Sequence, residues 1–235
     1  MLRTETVEKT TFELLKTLMQ DEKLKQFNLV GGTALALYMG HRKSIDLDLF
    51  THQTFDPTVI EKYLISTYNF KNQYEEQKSS IMLMGFIKDI KVDFIWDDSS
   101  QIKPLYINDN IRICSLHDIA AMKLKAILQN GTRLKDYVDL AFLSVKMSLI
   151  EMLKVFDEKY PNTSSILAVK ALRYFNDIDF SSEKEIVLIN GEYKWKEIEK
   201  RLIEMVKYSD KIFKKFPMAD SKNVSQKYQD FGISF

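Results

Sequence analysis

The sequence predicts an α+β fold in which a small mixed β-sheet is followed by a helical region. Two observations carry this prediction. Residues 45–50 read IDLDLF, a strict alternation of apolar and acidic side chains that is typical of a half-buried strand. From Ser115 onwards, the apolar residues recur mainly at helical spacing, which indicates that helices dominate the second half.

Composition places few limits on function. The chain has 235 residues, of which 45% are hydrophobic and 29% charged, as in ordinary soluble globular proteins. Its 34 basic and 33 acidic residues leave a net charge of +1, so a nucleic-acid partner would need a local basic patch. One cysteine and three histidines exclude a disulfide framework and argue against a zinc site. With no apolar run of membrane-spanning length and a charged N-terminal stretch, we expect a cytoplasmic protein without a membrane partner.

The first elements alternate between helix and strand. Residues 4–26 have apolar positions at helical spacing and predict an amphipathic helix. A short apolar strand follows at 27–30, and Gly31-Gly32 separates it from the predicted helix TALALYM. After the acidic strand, Asp56 followed by Pro57 is typical of a helix start, and this helix is expected to run to about residue 68.

The remaining elements divide into a hairpin and a series of helices. Residues 74–87 and 91–96 predict two strands joined by a tight turn. Ser115, with Asp118 three residues later, predicts a capped helix that ends before Gly131. Further helices are expected from about residue 132 and in the segments 148–159, 163–175 and 193–216. We therefore predict two domains, 1–110 and 111–235.

Three acidic residues form the candidate catalytic and metal site. Asp46 and Asp48 stand at i and i+2 on one strand face, opposite Ile45, Leu47 and Leu49, which suits joint ligation of a hard cation such as Mg²⁺. Asp93, in KVDFIW, occupies the equivalent face of a strand that could pair beside the first. Three neighbouring carboxylates repel one another unless cations lie between them. Alone, the D-x-D pair is also compatible with an acidic outer strand face.

Residues around the acidic strand predict a phosphate site. Gly31, Gly32 and Thr33 lie between a strand and a helix, where free amides and the helix dipole favour an anion, and we assign them the triphosphate. Arg42 and Ser44 precede the acidic strand and could reach the same phosphates. A plain turn and a solvated loop are the alternative interpretations.

A charged pair of helices forms a second candidate region. It carries Lys123, Lys125, Arg133, Lys135, Asp136 and Asp139. Asp136 and Asp139 share one helix face because they are three residues apart. By itself this pattern is typical of a solvated helix surface.

Four segments together resemble the AbiEii/AbiGii-type toxin family of nucleotidyltransferases. They are LVGGTALALYMGHRKSIDLDLF, KVDFI, SLHDIAAMKLKAI and RLKDYVDLAFL, and in order and spacing they span residues 29–143. The family's glycine-hydroxyl turn matches Gly31, Gly32 and Thr33, its D-x-D pair matches Asp46 and Asp48, and its third carboxylate matches Asp93. A nucleotide-contacting lysine falls on Lys123, and the K-D-x-x-D-L motif falls on Lys135, Asp136, Asp139 and Leu140. The resemblance implies that Lys123, Lys135, Asp136 and Asp139 bind the nucleotide or its phosphates. Asn130 stands where many relatives have an arginine, for which Arg133 is a possible substitute.

The resemblance implies a polymerase-β-like catalytic domain over 1–110 and a helical domain over 111–235 that completes the nucleotide and acceptor cleft. It implies transfer of a nucleoside monophosphate from a nucleoside triphosphate to an acceptor such as the 3′ end of a tRNA, with two Mg²⁺ ions, or Mn²⁺, as cofactors. It also implies the toxin role in a toxin–antitoxin or phage-defence system, with an antitoxin protein as partner. Two alternatives stay open: a catalytically silent nucleotide- or RNA-binding module, and a D-x-D glycosyltransferase.

Overall fold

The computed structural model describes residues 1–74 and 81–219. Within these residues the seven strands are β1 (Asn28–Val30), β2 (Leu47–Thr51), β3 (Lys71–Asn72), β4 (Met82–Ile87), β5 (Ile90–Trp96), β6 (Tyr106–Asn108) and β7 (Ile111–Ile113). They form one sheet with the order β3-β4-β5-β2-β1-β7-β6. The β2–β5 and β1–β7 pairs are parallel and the other pairs are antiparallel. The predicted mixed sheet is therefore confirmed.

The predicted hairpin is confirmed as β4 and β5. Its turn places Lys88 and Asp89 in the left-handed region, with φ of 51° and 63°. The predicted first strand began at residue 74, and its 75–80 portion lies outside the described residues. The acidic strand begins at Leu47, so the prediction that Ile45 shares the buried face is wrong, and its side chain is 54% exposed. The chain before β2 is held elsewhere, because the Ser44 amide donates to the Thr6 carbonyl oxygen at 2.9 Å.

The described helices are α1 (Lys9–Gln20), α2 (Gly31–Met39), α3 (Pro57–Tyr68), α4 (Leu116–Gln129), α5 (Leu134–Leu143), α6 (Leu149–Lys159), α7 (Ser165–Ala171) and α8 (Trp195–Lys207). The predicted caps are confirmed at α3 and α4, where the Asp56 side chain accepts from the Thr58 amide and the Ser115 side chain from the Asp118 amide. This confirms the predicted helical second half.

Three helices are shorter than predicted, one of them being α7, which spans Ser165–Ala171 instead of 163–175. The N-terminal helix ends at Gln20 because Asp21 adopts an extended conformation and its side chain accepts from the Lys23 amide. The last helix ends at Lys207 instead of continuing to residue 216. Beyond it the chain folds back, and the Phe213 amide donates to the Ser144 carbonyl oxygen at 2.9 Å.

One continuous hydrophobic core joins the sheet to the helices. Its fully buried members include Leu29 and Leu47 from the sheet, Leu35 from α2, and Leu124 and Leu140 from α4 and α5. The sheet continues to Ile113, so the predicted boundary after residue 110 falls in the β6–β7 turn. The division into two domains stays a prediction. In the part of the chain that the structure describes, every helix is too short or too polar to cross a membrane.

Candidate active site

A deep cleft lies between the acidic strands and the helices α4 and α5. Its cavity volume is about 1360 Å³. The predicted site residues that line it are Gly31, Gly32, Arg42, Ser44, Asp46, Asp48, Asp93, Lys123, Lys135 and Asp136. Thr33 and Asp139 are instead buried behind its wall, with 1% and 0% exposure. The fold therefore gathers residues from the whole span of the sequence motifs around one cavity.

The strand carboxylates meet at the floor of this cleft. In the parallel β2–β5 pair, Asp48 and Asp93 are directly opposite each other, and Asp46 immediately precedes β2. One oxygen of Asp93, Oδ2, lies 3.0 Å from Lys91 Nζ. The other, Oδ1, is buried and has no hydrogen-bond partner among the described residues. This leaves an acceptor beside Asp48 that a ligand can satisfy.

Burial of these carboxylates makes their charges unfavourable. Burial, reinforced by the negative charge of Asp93, raises the pKa of Asp48 to about 6. Burial also raises the pKa of Asp93, although Lys91 opposes the shift. A cation placed between the two carboxylates would reverse this effect.

The donor set fits a divalent cation that is shared with a phosphate ligand. Among the residues described, no three acidic, histidine or cysteine side chains converge closely enough to hold a metal ion by themselves. Mg²⁺ commonly binds one or two protein carboxylates and completes its coordination with substrate phosphates and water. The orphaned Asp93 Oδ1 and the adjacent Asp48 match that requirement.

The Gly31-Gly32 turn brings the start of α2 against this acidic floor. Gly31 has a φ of +70°, and a Cβ added there would lie 2.1 Å from Asp48 Oδ2. A Cβ on Gly32 would lie 2.5 Å from Arg42 Nη2. No side chain caps the N-terminus of α2 at Val30. The two glycines thus let a carboxylate, a guanidinium and uncapped helix amides share one small region.

Thr33 holds the loop that precedes β2. Its hydroxyl group lies 2.8 Å from Ser44 Oγ and also hydrogen-bonds to the carbonyl oxygen of Asp46. These contacts join α2 to the segment that carries the first carboxylate. Thr33 therefore faces the loop, whereas Ser44 lines the cleft.

A buried ionic cluster forms the helical wall. Asp139 accepts hydrogen bonds from Arg42 Nε at 2.7 Å and Nη2 at 2.9 Å, and its Oδ2 lies 2.8 Å from Lys123 Nζ. Burial opposes its ionisation, but the positive charges of Arg42 and Lys123 hold the pKa of Asp139 well below its usual value. Burial lowers the pKa of His41, whose Nε2 lies 3.0 Å from Asp139 Oδ1. We therefore assign a neutral ring that donates to the carboxylate.

Among the charged residues that line the cleft but escaped prediction, two form ion pairs with predicted site residues. Lys91 pairs with Asp93, and its position two residues earlier on the same strand was an available signal. Glu185 pairs with Lys135, the side-chain atoms Nζ and Oε2 lying 2.6 Å apart. Glu185 belongs to the stretch between the helices predicted at 163–175 and 193–216, for which the sequence predicted no element. Nothing in the local sequence pattern indicated that this stretch reaches the cleft.

Comparison with known proteins identifies relatives over most of the chain. The family model described as nucleotidyl transferase AbiEii toxin, type IV TA system, matches residues 13–207. The protein aq_aa25 of Aquifex aeolicus is 34% identical over 186 residues, which cover 77% of this chain and 86% of that protein. The crystal structure of JHP933 from Helicobacter pylori is 17% identical with a TM-score of 0.48, covering 96% of this chain and 98% of that one. A CCA-adding enzyme in complex with CTP is 13% identical with a TM-score of 0.35, covering 96% of this chain and 66% of that one.

Proposed function

The chain belongs to the AbiEii family of nucleotidyl transferase toxins, and from this membership we propose that its cleft transfers a nucleoside monophosphate from a nucleoside triphosphate to RNA. The single observation that carries the proposal is the direct pairing of Asp48 with Asp93 on parallel strands beside the Gly31 turn. This arrangement places two neighbouring carboxylates, one with an unpartnered oxygen, next to uncapped helix amides. A triphosphate held with a divalent cation satisfies both groups.

In this proposal the phosphates lie at the N-terminus of α2. Gly31 and Gly32 let Asp48 and Arg42 approach the backbone there, and Arg42 supplies a positive charge at the same place. Ser44, in the adjacent loop, also lines the cleft. These groups would retain pyrophosphate as it leaves, because charge-assisted hydrogen bonds favour the more negative product.

The reacting end of the nucleotide, its α-phosphate, is assigned to the carboxylates on and beside the strands β2 and β5. Asp46, Asp48 and Asp93 would hold two Mg²⁺ ions, or Mn²⁺, which when bound supply neutralisation of the triphosphate charge and polarisation of the α-phosphorus. The acceptor hydroxyl forms a new bond to the α-phosphorus while the bond to the bridging oxygen of pyrophosphate breaks. Asp93, with its unpartnered Oδ1, is placed to receive the hydroxyl proton.

The helical wall would bind the rest of the nucleotide and the acceptor. Lys123 and Asp136 line this wall directly, and Asp139 supports it from behind through Lys123 and Arg42. Lys135 lies near the cleft mouth beside Glu185. The catalytic domain in this scheme is 1–110, and 111–235 completes the cleft. Family membership makes an antitoxin the expected partner, and a tRNA 3′ end is the first acceptor to test.

The proposal is tested by label transfer. Purified protein is incubated with each α-³²P-labelled nucleoside triphosphate, Mg²⁺ and total RNA, beside samples that contain cell extract or EDTA. We expect labelled RNA from the unmodified protein and a loss on the order of 100-fold or more in Asp48→Asn. The control is Asp98→Asn, which removes a different carboxylate that lines the cleft and is expected to retain transfer.

The alternatives predict different results. Labelled protein instead of labelled RNA would replace the acceptor in the proposal. Nucleotide binding without any transfer would indicate a silent binding module. Full activity of Asp48→Asn would refute the assignment of the acidic floor.

A further inference from the structure

Asp136 presents an unsatisfied carboxylate oxygen on the cleft wall. Its side chain is 2% exposed and lines the cleft. Oδ1 accepts a hydrogen bond from Lys123 Nζ at 2.6 Å, whereas Oδ2 has no hydrogen-bond partner among the residues that the structure describes. Arg133 forms an ion pair with Oδ2, but its Nε lies 3.7 Å away, which is too far for a hydrogen bond. Buried acceptors are rarely left in this state unless a ligand or water completes them.

The chemistry of this oxygen excludes a phosphate as its direct partner. An ionised carboxylate can only accept hydrogen bonds, and phosphate oxygens are likewise negative acceptors. Of the groups of a nucleotide, a hydroxyl or an amino group can donate to Oδ2. The prediction that grouped Asp136 with the phosphate-binding residues is refined here, because this side chain suits a different part of the nucleotide.

The position of Asp136 favours the sugar. In the proposed binding mode the α-phosphate lies above Asp48 and Asp93, and the ribose is the next group along the nucleotide. Lys123, which holds Asp136, and Arg133, which lies beside it, both act electrostatically on Asp48 across the cleft. Asp136 is thus on the wall that faces the carboxylates assigned to the reacting end.

We propose that Asp136 Oδ2 accepts a hydrogen bond from a ribose hydroxyl of the bound nucleoside triphosphate, so that the site selects ribonucleotides over deoxynucleotides. This inference rests on the proposed function, since it requires a nucleotide in the cleft. It assigns Asp136 the role of a specificity-determining residue. Lys123 orients the carboxylate by occupying Oδ1, which leaves Oδ2 for the sugar.

Arg133 lies beside Oδ2 and would give way to a sugar hydroxyl that binds there. Its side chain is 65% exposed, and a partly solvated pair at 3.7 Å contributes little stability. Displacing it therefore costs little. The freed guanidinium remains within reach of the negative charge that the triphosphate brings into the cleft.

The test compares nucleotides that differ by one hydroxyl. Calorimetry with the unmodified protein and Mg²⁺ first identifies which of the four α,β-methylene ribonucleoside triphosphates binds most tightly. The 2′-deoxy and 3′-deoxy forms of that nucleotide are then titrated in the same way. We expect one of them to bind roughly tenfold more weakly or worse, which is the effect of losing a hydrogen bond to a charged acceptor.

The variant Asp136→Asn tests which side chain detects the hydroxyl. Its amide oxygen is required by Lys123, so the amide nitrogen faces the cleft, and the ribose preference should fall to about threefold or less. Asp98→Asn is the matched control because it also removes one negative charge from the cleft lining. It should change the affinity for both nucleotide forms by the same factor and leave their ratio intact.

Each outcome separates this inference from the function on which it rests. Equal binding of the ribo and both deoxy forms to the unmodified protein would overturn the inference while leaving nucleotide binding in place. An unchanged ribose preference in folded Asp136→Asn would also overturn it. Absence of binding by every triphosphate would instead refute the proposed function. The comparison on the unmodified protein needs no variant, so a folding defect cannot leave the question undecided.

Discussion

Asp139 organises the positive side of the cleft without reaching the cavity. Its two oxygens accept hydrogen bonds from Nε and Nη2 of Arg42. This bidentate geometry fixes the orientation of the guanidinium group as well as neutralising its charge. Lys123 contacts the same carboxylate, and the other ends of these interactions line the cavity. A residue assigned to nucleotide contact by resemblance is therefore placed to act through two cations.

Removing the charge of Asp139 should destabilise the protein strongly. Asp139→Asn leaves Arg42 and Lys123 buried with one anion fewer, and breaking a buried ionic group typically costs about 3–5 kcal/mol. Urea unfolding followed by circular dichroism measures this loss. Asp210→Asn, at an exposed position, should stay within about 0.5 kcal/mol of the unmodified protein. A similarly small effect at Asp139 would contradict the assigned role of the cluster.

Asp48 should show the opposite behaviour when metal is absent. Its pKa is raised to about 6 in the folded state, so above that pH its negative charge opposes folding. Asp48→Asn should therefore increase the free energy of unfolding in EDTA at pH 8 by about 1–2 kcal/mol. This gain is smaller than the pKa shift alone implies, because Asp48 is partly exposed and solvent screens its charge. Urea titration measures the gain, and nucleotide transfer measures the accompanying loss of activity. A lower free energy of unfolding in the variant would show that the charge of Asp48 does not oppose folding.

At the scale of elements, sequence patterns predict the features that depend on residues close together in the chain, such as strand faces and helix caps. The alternation in IDLDLF and the opposed faces of KVDFIW placed Asp48 and Asp93 on adjacent strands, and β2 and β5 do pair there. The caps at Asp56 and Ser115 followed from residue type and spacing. The early end of α1 was not predicted because the apolar spacing continues past Asp21, whose backbone leaves the helix.

The start of α2 depends on a glycine for two separate reasons. Gly31 combines a left-handed conformation with a Cβ position 2.1 Å from Asp48 Oδ2. Gly31→Ala should therefore lower stability by at least about 2 kcal/mol and weaken nucleotide binding, because both backbone strain and a collision with Asp48 result. Thermal unfolding and calorimetry measure the two effects.

A second glycine supplies the control for this element. Gly131 has no left-handed φ, and an added Cβ would lie 3.1 Å from Tyr137 Oη, at the end of a side chain. Gly131→Ala should cost less than about 1 kcal/mol and preserve nucleotide affinity. Equal effects of the two substitutions would indicate that the conformation at Gly31 carries no special requirement.

At the scale of the whole molecule, the cleft depends on contacts between distant parts of the chain. Arg42 reaches Asp139, and the Lys43 amide donates to the Val187 carbonyl oxygen at 2.8 Å. Periodicity and capping rules act over one or two helical turns, so they carry no information about such pairs. The motif resemblance includes Lys123, Asp136 and Asp139, but only the tertiary structure shows that Asp139 is buried behind the cleft wall and that Asp136 lines the cleft.

A second buried ionic group joins Lys159, which lines the cleft, to Asp118. Lys159, from the end of α6, donates to the Ser100 carbonyl oxygen at 2.7 Å and lies 3.3 Å from Asp118 Oδ1. Asp118 in turn accepts from the amides of Ile102 and Lys103. This group joins the chain that leaves β5 to α4 and α6, so it links the sheet to the helical wall.

A double-mutant cycle measures that link. Lys159→Met and Asp118→Asn should each cost about 3 kcal/mol or more, because each leaves the other partner's buried charge without the opposite charge beside it. The double variant should be less destabilised than the sum by at least about 1 kcal/mol, since two residues in direct contact share one interaction energy. Urea unfolding of the four proteins at pH 7 provides the values. Additivity within about 0.5 kcal/mol would mean that Lys159 and Asp118 stabilise their surroundings independently, and that their contact does not link the sheet to the helical wall.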